Sequence, residues 1–187
     1  MIRAFIAITP PTTLQQTMAE VRQGFQHLSP PWRWITPDHI HLTLRFLGNV
    51  PVESVPSLLQ AMEHASQGQT AFPLCAKALG CFPHPARPRI LWVGLDDPGQ
   101  ALGRLNERLT AALTPLGFPP EDRAFHPHLT LARAQNGRPS RDLLSMLQTY
   151  QNQIFGEFLV TQWHLMQSQL YRGGAVHTIL HSVTLQS

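Results

Sequence analysis

The tetrapeptide His41-Leu42-Thr43-Leu44 returns unchanged as His128-Leu129-Thr130-Leu131, close to half the chain later. An extended strand sends alternate side chains to opposite faces. Each copy therefore offers an imidazole and a hydroxyl on one face and two leucines to a core on the other. Two such strands bury both leucine faces when each belongs to a lobe of its own and the strands meet at a cleft.

A lone histidine on a half-buried strand is an ordinary structural residue. Two identical copies, each behind a proline (Pro37 and Pro127), point instead to chemistry. Imidazole has an unperturbed pKa of roughly 6.5 and can give or take a proton near neutrality. With one ring neutral and one protonated, the pair can take a proton from attacking water and return one to a departing oxygen. The hydroxyls of Thr43 and Thr130 can hydrogen-bond the non-bridging oxygens of a phosphate, where charge builds up. Such a pair splits a phosphoester, a cyclic phosphate included, without a metal. His41 and His128 are the candidate catalytic residues, Thr43 and Thr130 candidate substrate ligands, and no cofactor is expected.

The surroundings of the motifs supply further candidates. Arg45 lies two residues past Thr43, so regular alternation puts it on the same face, within reach of a phosphate oxygen. Arg133 lies three residues past Thr130, where a regular strand turns it away and only a bend brings it to the cleft rim. In the proline-rich stretch, Phe82 offers a ring for base stacking, and Arg87 and Arg89 offer guanidinium groups for phosphate. Two alternatives stand beside this reading. His39 with His41 and His126 with His128 form two His-x-His pairs, whose four imidazoles are a possible zinc-ligand set for a metal-dependent phosphoesterase. The same cleft also suits an RNA- or nucleotide-binding module without turnover. The remaining six of the ten histidines (His27, His64, His84, His164, His177 and His181) show no ligand spacing and read as structural or surface residues.

Composition permits this chemistry without demanding it. The 187 residues are 43% hydrophobic and 13% charged, enough for a packed core, and the formal charge of +3 accommodates an anionic substrate. Cys75 and Cys81 are too few for a disulfide framework. The apolar run at residues 2–8 is short for a signal peptide and ends at Pro10-Pro11, and no stretch approaches the roughly 18 apolar residues of a membrane span. A cytoplasmic location is expected.

Periodicity predicts a strand at 2–9, a helix from 12 to about 28 with Thr12 or Thr13 as cap, a break at 29–31 and a short extended piece at 32–35. The first motif strand then stops at Gly48-Asn49. A helix follows at 52–65, a strand at 71–79, a proline-rich loop at 80–88, a strand at 89–95 and a helix at 100–113. The second motif strand is expected at 123–133, a helix at 140–151, and a closing hairpin of strands 155–170 and 175–185 turning near 171–174. The order of elements in the two halves is alike, which suggests an internal duplication within one two-lobed domain of residues 1–187. The fold class is α+β: two antiparallel sheets about a pseudo-twofold axis, a central cleft between them and helices outside.

These residues carry a resemblance. The stretches 34–48 (WITPDHIHLTLRFLG), 82–94 (FPHPARPRILWVG) and 125–133 (FHPHLTLAR), with 3–8 (RAFIAI) and 168–170 (SQL), are similar to those of the two-histidine phosphoesterases, within them the RNA 2′,3′-cyclic phosphodiesterase or 2′-5′ RNA ligase family. The resemblance implies a bilobal fold and metal-independent hydrolysis of RNA 2′,3′-cyclic phosphate ends to 2′-phosphates. It also implies His41 as proton donor to the leaving oxygen and His128 as acceptor from water, roles that the symmetry of the motifs leaves open. Reversible 2′-5′ ligation is implied as a secondary activity. The partners expected are RNA with 2′,3′-cyclic phosphate or 2′-5′ linked ends, with tRNA fragments and small cyclic nucleotides as candidates. A monomer is expected, with no membrane partner.

Overall fold

A computed structural model describes residues 1–25, 32–134, 141–172 and 174–186, with Arg141 by its backbone alone. Nine strands and four helices follow one another in the described residues. Strand β1 is Ile2–Ile8, helix α1 Thr12–Gly24, β2 Trp32–Trp34 and β3 Leu42–Val50. Next come α2 (Val55–Ser66), β4 (Phe72–Phe82), β5 (Ile90–Asp96) and α3 (Ala101–Leu113). The chain ends with β6 (His128–Ala134), α4 (Arg141–Thr149), β7 (Ile154–Val160), β8 (Gln162–Tyr171) and β9 (Gly174–Thr184).

The strand order is β7-β4-β5-β6-β3-β1-β8-β9, with β2 added beside β6, and every named pairing is antiparallel. Two four-stranded halves are mirrored in this order, each with its motif strand innermost. They join through a single residue pair, Leu42 opposite Leu129. The α+β class with two antiparallel halves is what the sequence leads one to expect, and the seam makes the halves one curled sheet.

Helices cover one face of this sheet. In β1, Ala4, Ile6 and Ile8 enter the main core, while Phe5 and Ala7 point the other way and form a small cluster with Met166 of β8. Helix α2 buries Leu58, Ala61, Met62 and Ala65, and α3 buries Leu102, Leu105, Leu109 and Leu113, spacings that put each set on one helical face. These two helices pack on each other, and α1 and α4 pack against β7 and β4 in the other half. Asp97 starts α3: its carboxylate accepts the backbone N–H of Ala101 and of Gly103, both at 3.1 Å. No described helix is long and apolar enough to cross a membrane.

Several boundaries differ from expectation. The stretch 155–170 is two strands, with Thr161 outside both, and β7 and β8 lie near opposite edges of the sheet. No glycine or proline marks that switch. β4 runs on through Gly80, Cys81 and Phe82 instead of ending at 79, because Gly80 is a close approach and not a breaker. A Cβ there would sit 2.2 Å from carbons of the Trp92 ring across the β4–β5 ladder. β3 likewise continues past Gly48-Asn49 to Val50. β6 begins only at His128, after Pro127. Helix α1 starts at Thr12 behind Pro11 without a side-chain cap. Helix α1 ends at Gly24, with Phe25 as its C-cap, and not near 28. The break at 29–31, the start of the 140–151 helix at Ser140 and the turn residue Gly173 lie outside the described residues.

Candidate active site

The Leu42–Leu129 pair sets the two motifs side by side at the seam. Leu42, Leu44, Leu129 and Leu131 all enter the core, and His41, Thr43, His128 and Thr130 stay half-exposed on the open face. Both imidazoles are held in the same way. The Nδ1 of His41 lies 2.7 Å from the carbonyl oxygen of His39, and the Nδ1 of His128 lies 2.7 Å from that of His126. A carbonyl only accepts, so Nδ1 carries the hydrogen and donates it. That fixes the tautomer and leaves each Nε2 to accept a proton or, once charged, to give it up.

Both motif strands carry an irregularity at their last leucine. Across β1, Ala7 pairs with Thr43 but Ile6 pairs with Arg45, so Leu44 is an extra residue on β3. Across β5, Trp92 pairs with Thr130 but Leu91 pairs with Ala132, so Leu131 is extra on β6. A bulge reverses the alternation beyond it. The expectation that Arg45 shares a face with Thr43 is therefore corrected. Arg45 is buried on the helix side, where its guanidinium donates to the carbonyls of Phe118 and Pro119 and lies 3.8 Å from Glu121. Arg133 gains the open face from the same device, since it pairs with Ile90 one register beyond the bulge. Phe46 occupies the corresponding place in the first half, opposite Phe5 and 63% exposed. Its offset from Thr43 equals that of Arg133 from Thr130, a signal the sequence carried.

Rings wall the site on both sides. Phe82 lies edge-on to His128 at 5.0 Å and also touches Trp92 and His126. It sits at the end of a strand and not in a loop. Phe5 lies 4.9 Å from His41, and His177 of β9 stands edge-on to His41 at 5.2 Å. His177, which reads from sequence as structural or surface, thus packs against a motif histidine, as do Phe5 and Trp92. Arg89 is exposed and is held through its backbone: its N–H donates to Phe82 and its carbonyl accepts from Ala134. Of the other histidines, His164 is buried with its Nδ1 2.8 Å from Ser182 Oγ, and His27 lies outside the described residues. A groove of about 730 Å³ between α2 and α3, lined by Gln60, His64 and Arg108 among others, contains neither motif.

The twin histidine–threonine strands have a counterpart among known proteins. The family model of the 2′-5′ RNA ligase superfamily matches residues 10–172. The chain belongs to that superfamily. A relative from Aeropyrum pernix, named RNA 2′,3′-cyclic phosphodiesterase, is 34% identical over 91% of this chain and 96% of its own length. One of the same name from Aquifex aeolicus is 25% identical over 99% of this chain and 98% of its own. Among solved structures, TT0787 of Thermus thermophilus superposes with a TM-score of 0.84 at 28% identity, covering 99% of this chain and 98% of that one. E. coli LigT, solved in complex with 3′-AMP, gives 0.78 at 28% identity over 100% of this chain and 99% of that one.

In this superfamily member the site is set up for neutral imidazoles. Burial pulls the His41 pKa down to about 4, opposed by the bond to His39 and reinforced by the positive fields of His177, Arg133 and His39. Burial also lowers His128, again against its carbonyl bond and with help from His126 and Arg133. Arg133 acts on both rings, which locates its charge at the seam. The zinc alternative finds no geometry. His39 faces His177, His126 faces Phe82 and Trp92, and among the described residues no group of three or more His, Cys, Asp or Glu side chains is placed to hold a metal ion.

Proposed function

We propose that this protein hydrolyses RNA 2′,3′-cyclic phosphate ends to 2′-phosphates with its two motif histidines as acid and base. The observation that carries the reading is the pair of identical Nδ1 tethers, which leave two Nε2 atoms available from the two sides of one seam. Relatives named for this activity, at up to 34% identity, support the substrate class.

In the reaction, His128 Nε2 takes a proton from water as its oxygen bonds to phosphorus. The bond from phosphorus to the ribose 3′ oxygen breaks, and His41 Nε2 gives that oxygen a proton. This direction follows the family likeness. Thr43 and Thr130 donate their hydroxyl hydrogens to the non-bridging oxygens, and Arg133 adds a positive field there. The free enzyme keeps both rings neutral at pH 7, so the substrate's own negative charge must raise the acid's pKa on binding. The exposed Phe46 ring offers a face for the base. With the 5′ hydroxyl of a second RNA in place of water, the same proton transfers open the cyclic phosphate to a 2′-5′ bond and a free 3′ hydroxyl, and run backwards they cleave that bond and re-form the cyclic ester. The mirrored strand order supports reading residues 1–187 as one domain of two lobes, with one motif in each and both halves of the site in a single chain.

The test is turnover by single variants. His41→Ala and His128→Ala should each lower kcat by roughly 10²–10⁴ while circular dichroism stays native. Near-normal turnover in either variant would overturn the mechanism, and tight binding of a 2′-phosphorylated nucleotide with no hydrolysis by the parent protein would replace it with a binding role.

A further inference from the structure

The two motifs are alike, but their surroundings are not. The rings against His128 are Phe82 and Trp92, neither of which titrates. Against His41 stand Phe5 and a third imidazole, His177, from the last strand of the sheet. His177 pairs with Ser168 of β8 and is itself walled in. Its ring is edge-on to His41 at 5.2 Å and 87°, edge-on to Phe5 at 5.0 Å, and tilted to His39 at 5.4 Å. Its Nδ1 is buried and has no hydrogen-bond partner among the described residues. A buried imidazole nitrogen without a partner is unfavourable, so the position is not what packing alone would select. An apolar ring would fill the space at less cost.

We propose that His177 is a positioning residue for His41: it fixes that imidazole edge-on at the seam and, as a titratable ring in one half only, makes the two motif histidines unequal. The inference rests on the two-histidine reading above and adds to it a positioning ring that only one of the two motifs has. The tether to His39 restrains the His41 ring at Nδ1 but permits it to swing about that bond. The His177 edge and the Phe5 ring touch each other as well as His41, so together they form a fixed corner against which the imidazole packs. That corner limits the swing and holds Nε2 in line with a substrate. The charged and titratable groups acting on His41 are His177, Arg133 and His39. His177 in turn feels His39, whose Nε2 lies 3.8 Å from Asp38. A positive charge on His177 disfavours one on His41, and no equivalent ring faces His128.

Two variants separate packing from titration. His177→Ala removes the ring, and His177→Phe keeps a flat ring but cannot be charged. Steady-state turnover of a 2′,3′-cyclic phosphate oligonucleotide and NMR titration of the imidazole Cε1 protons are measured in both. In His177→Ala, kcat should fall about tenfold with KM within about threefold, as expected when a reacting group loses its alignment. His177→Phe should recover most of that kcat. In both variants the His41 titration midpoint should rise while that of His128 stays put, and the alkaline limb of the kcat profile, where the acid loses its proton, should follow His41. Unchanged kcat in His177→Ala, or midpoints of His41 and His128 that stay fixed or move together, would overturn the proposal. If His177→Ala fails to fold, the His177→Phe titration alone decides. If the parent protein shows no turnover, the proposed function fails, and the asymmetry of the two midpoints still tests the role of His177.

Discussion

Acid should unfold this protein through His41, and the size of the effect follows from the site. Its pKa falls from an ordinary 6.5 to about 4 in the folded state, chiefly because burial penalises the charged ring. The unfolded chain therefore binds more protons than the folded one between pH 6.5 and 4. The neutral ring's stabilising advantage is complete above pH 6.5, erodes as pH falls, and is fully lost below pH 4. Over the whole window the loss is about 3 kcal/mol, from a shift of 6.5 to about 4. Between pH 7.5 and 5.0 it is about 2 kcal/mol by the same linkage. The perturbation is His41→Gln, whose amide can keep the bond to the His39 carbonyl but cannot titrate. Urea unfolding of both proteins at the two pH values gives the double difference, in which the contributions of His128 and His164 cancel. The variant should lose about 2 kcal/mol less than the parent on acidification. An equal loss in the two proteins would show that His41 is not held neutral by burial, and the account of the site's electrostatics would fail with it.

Other substitutions probe the bulges and the ring wall. Arg45→Met should destabilise by about 2 kcal/mol, since it removes the charged hydrogen bonds by which the buried guanidinium holds the carbonyls of Phe118 and Pro119, and Tm should drop by several degrees in a thermal melt. Arg133→Ala should instead raise KM for a cyclic phosphate and weaken its salt dependence, with Tm nearly unchanged; the reverse pattern for the two arginines would contradict the bulge assignment. Phe46→Ala should raise KM for oligonucleotides more than for a substrate lacking a base. Gly80→Ala places a methyl group 2.2 Å from the Trp92 ring, so it should cost about 1–3 kcal/mol of stability and disturb the wall beside His128; a native Tm would refute the close packing there.

The motifs were legible because strand alternation has a period of two, and a sequence that repeats His-x-Thr shows that period directly. The leucines, the paired hydroxyls and the histidine positions all follow from it. Past Leu44 and Leu131 the same rule misplaces what comes next, because each bulge inserts a residue that no local preference announces. Regular alternation puts Arg45 on the wrong face and gives Phe46 no place on the open one. Only the equal offsets of Phe46 and Arg133 from their threonines held a clue. The strand switch at Thr161 was hidden for a related reason: the residues around it are good strand formers, and which half each strand joins is decided by tertiary pairing. His177 is far from either motif in sequence, and the β8–β9 register that brings it to His41 leaves no local trace. Gly80 looked like a breaker because a glycine at a close approach and a glycine in a turn are the same letter.

The central claim is that two tethered imidazoles split a cyclic phosphate without a metal. The most direct test is hydrolysis of a 2′,3′-cyclic-phosphate-terminated oligonucleotide in excess EDTA, with the position of the product phosphate resolved by NMR. The account predicts full turnover to a 2′-phosphate with a free 3′ hydroxyl. Loss of turnover in EDTA that zinc restores, or a 3′-phosphate product, would contradict it.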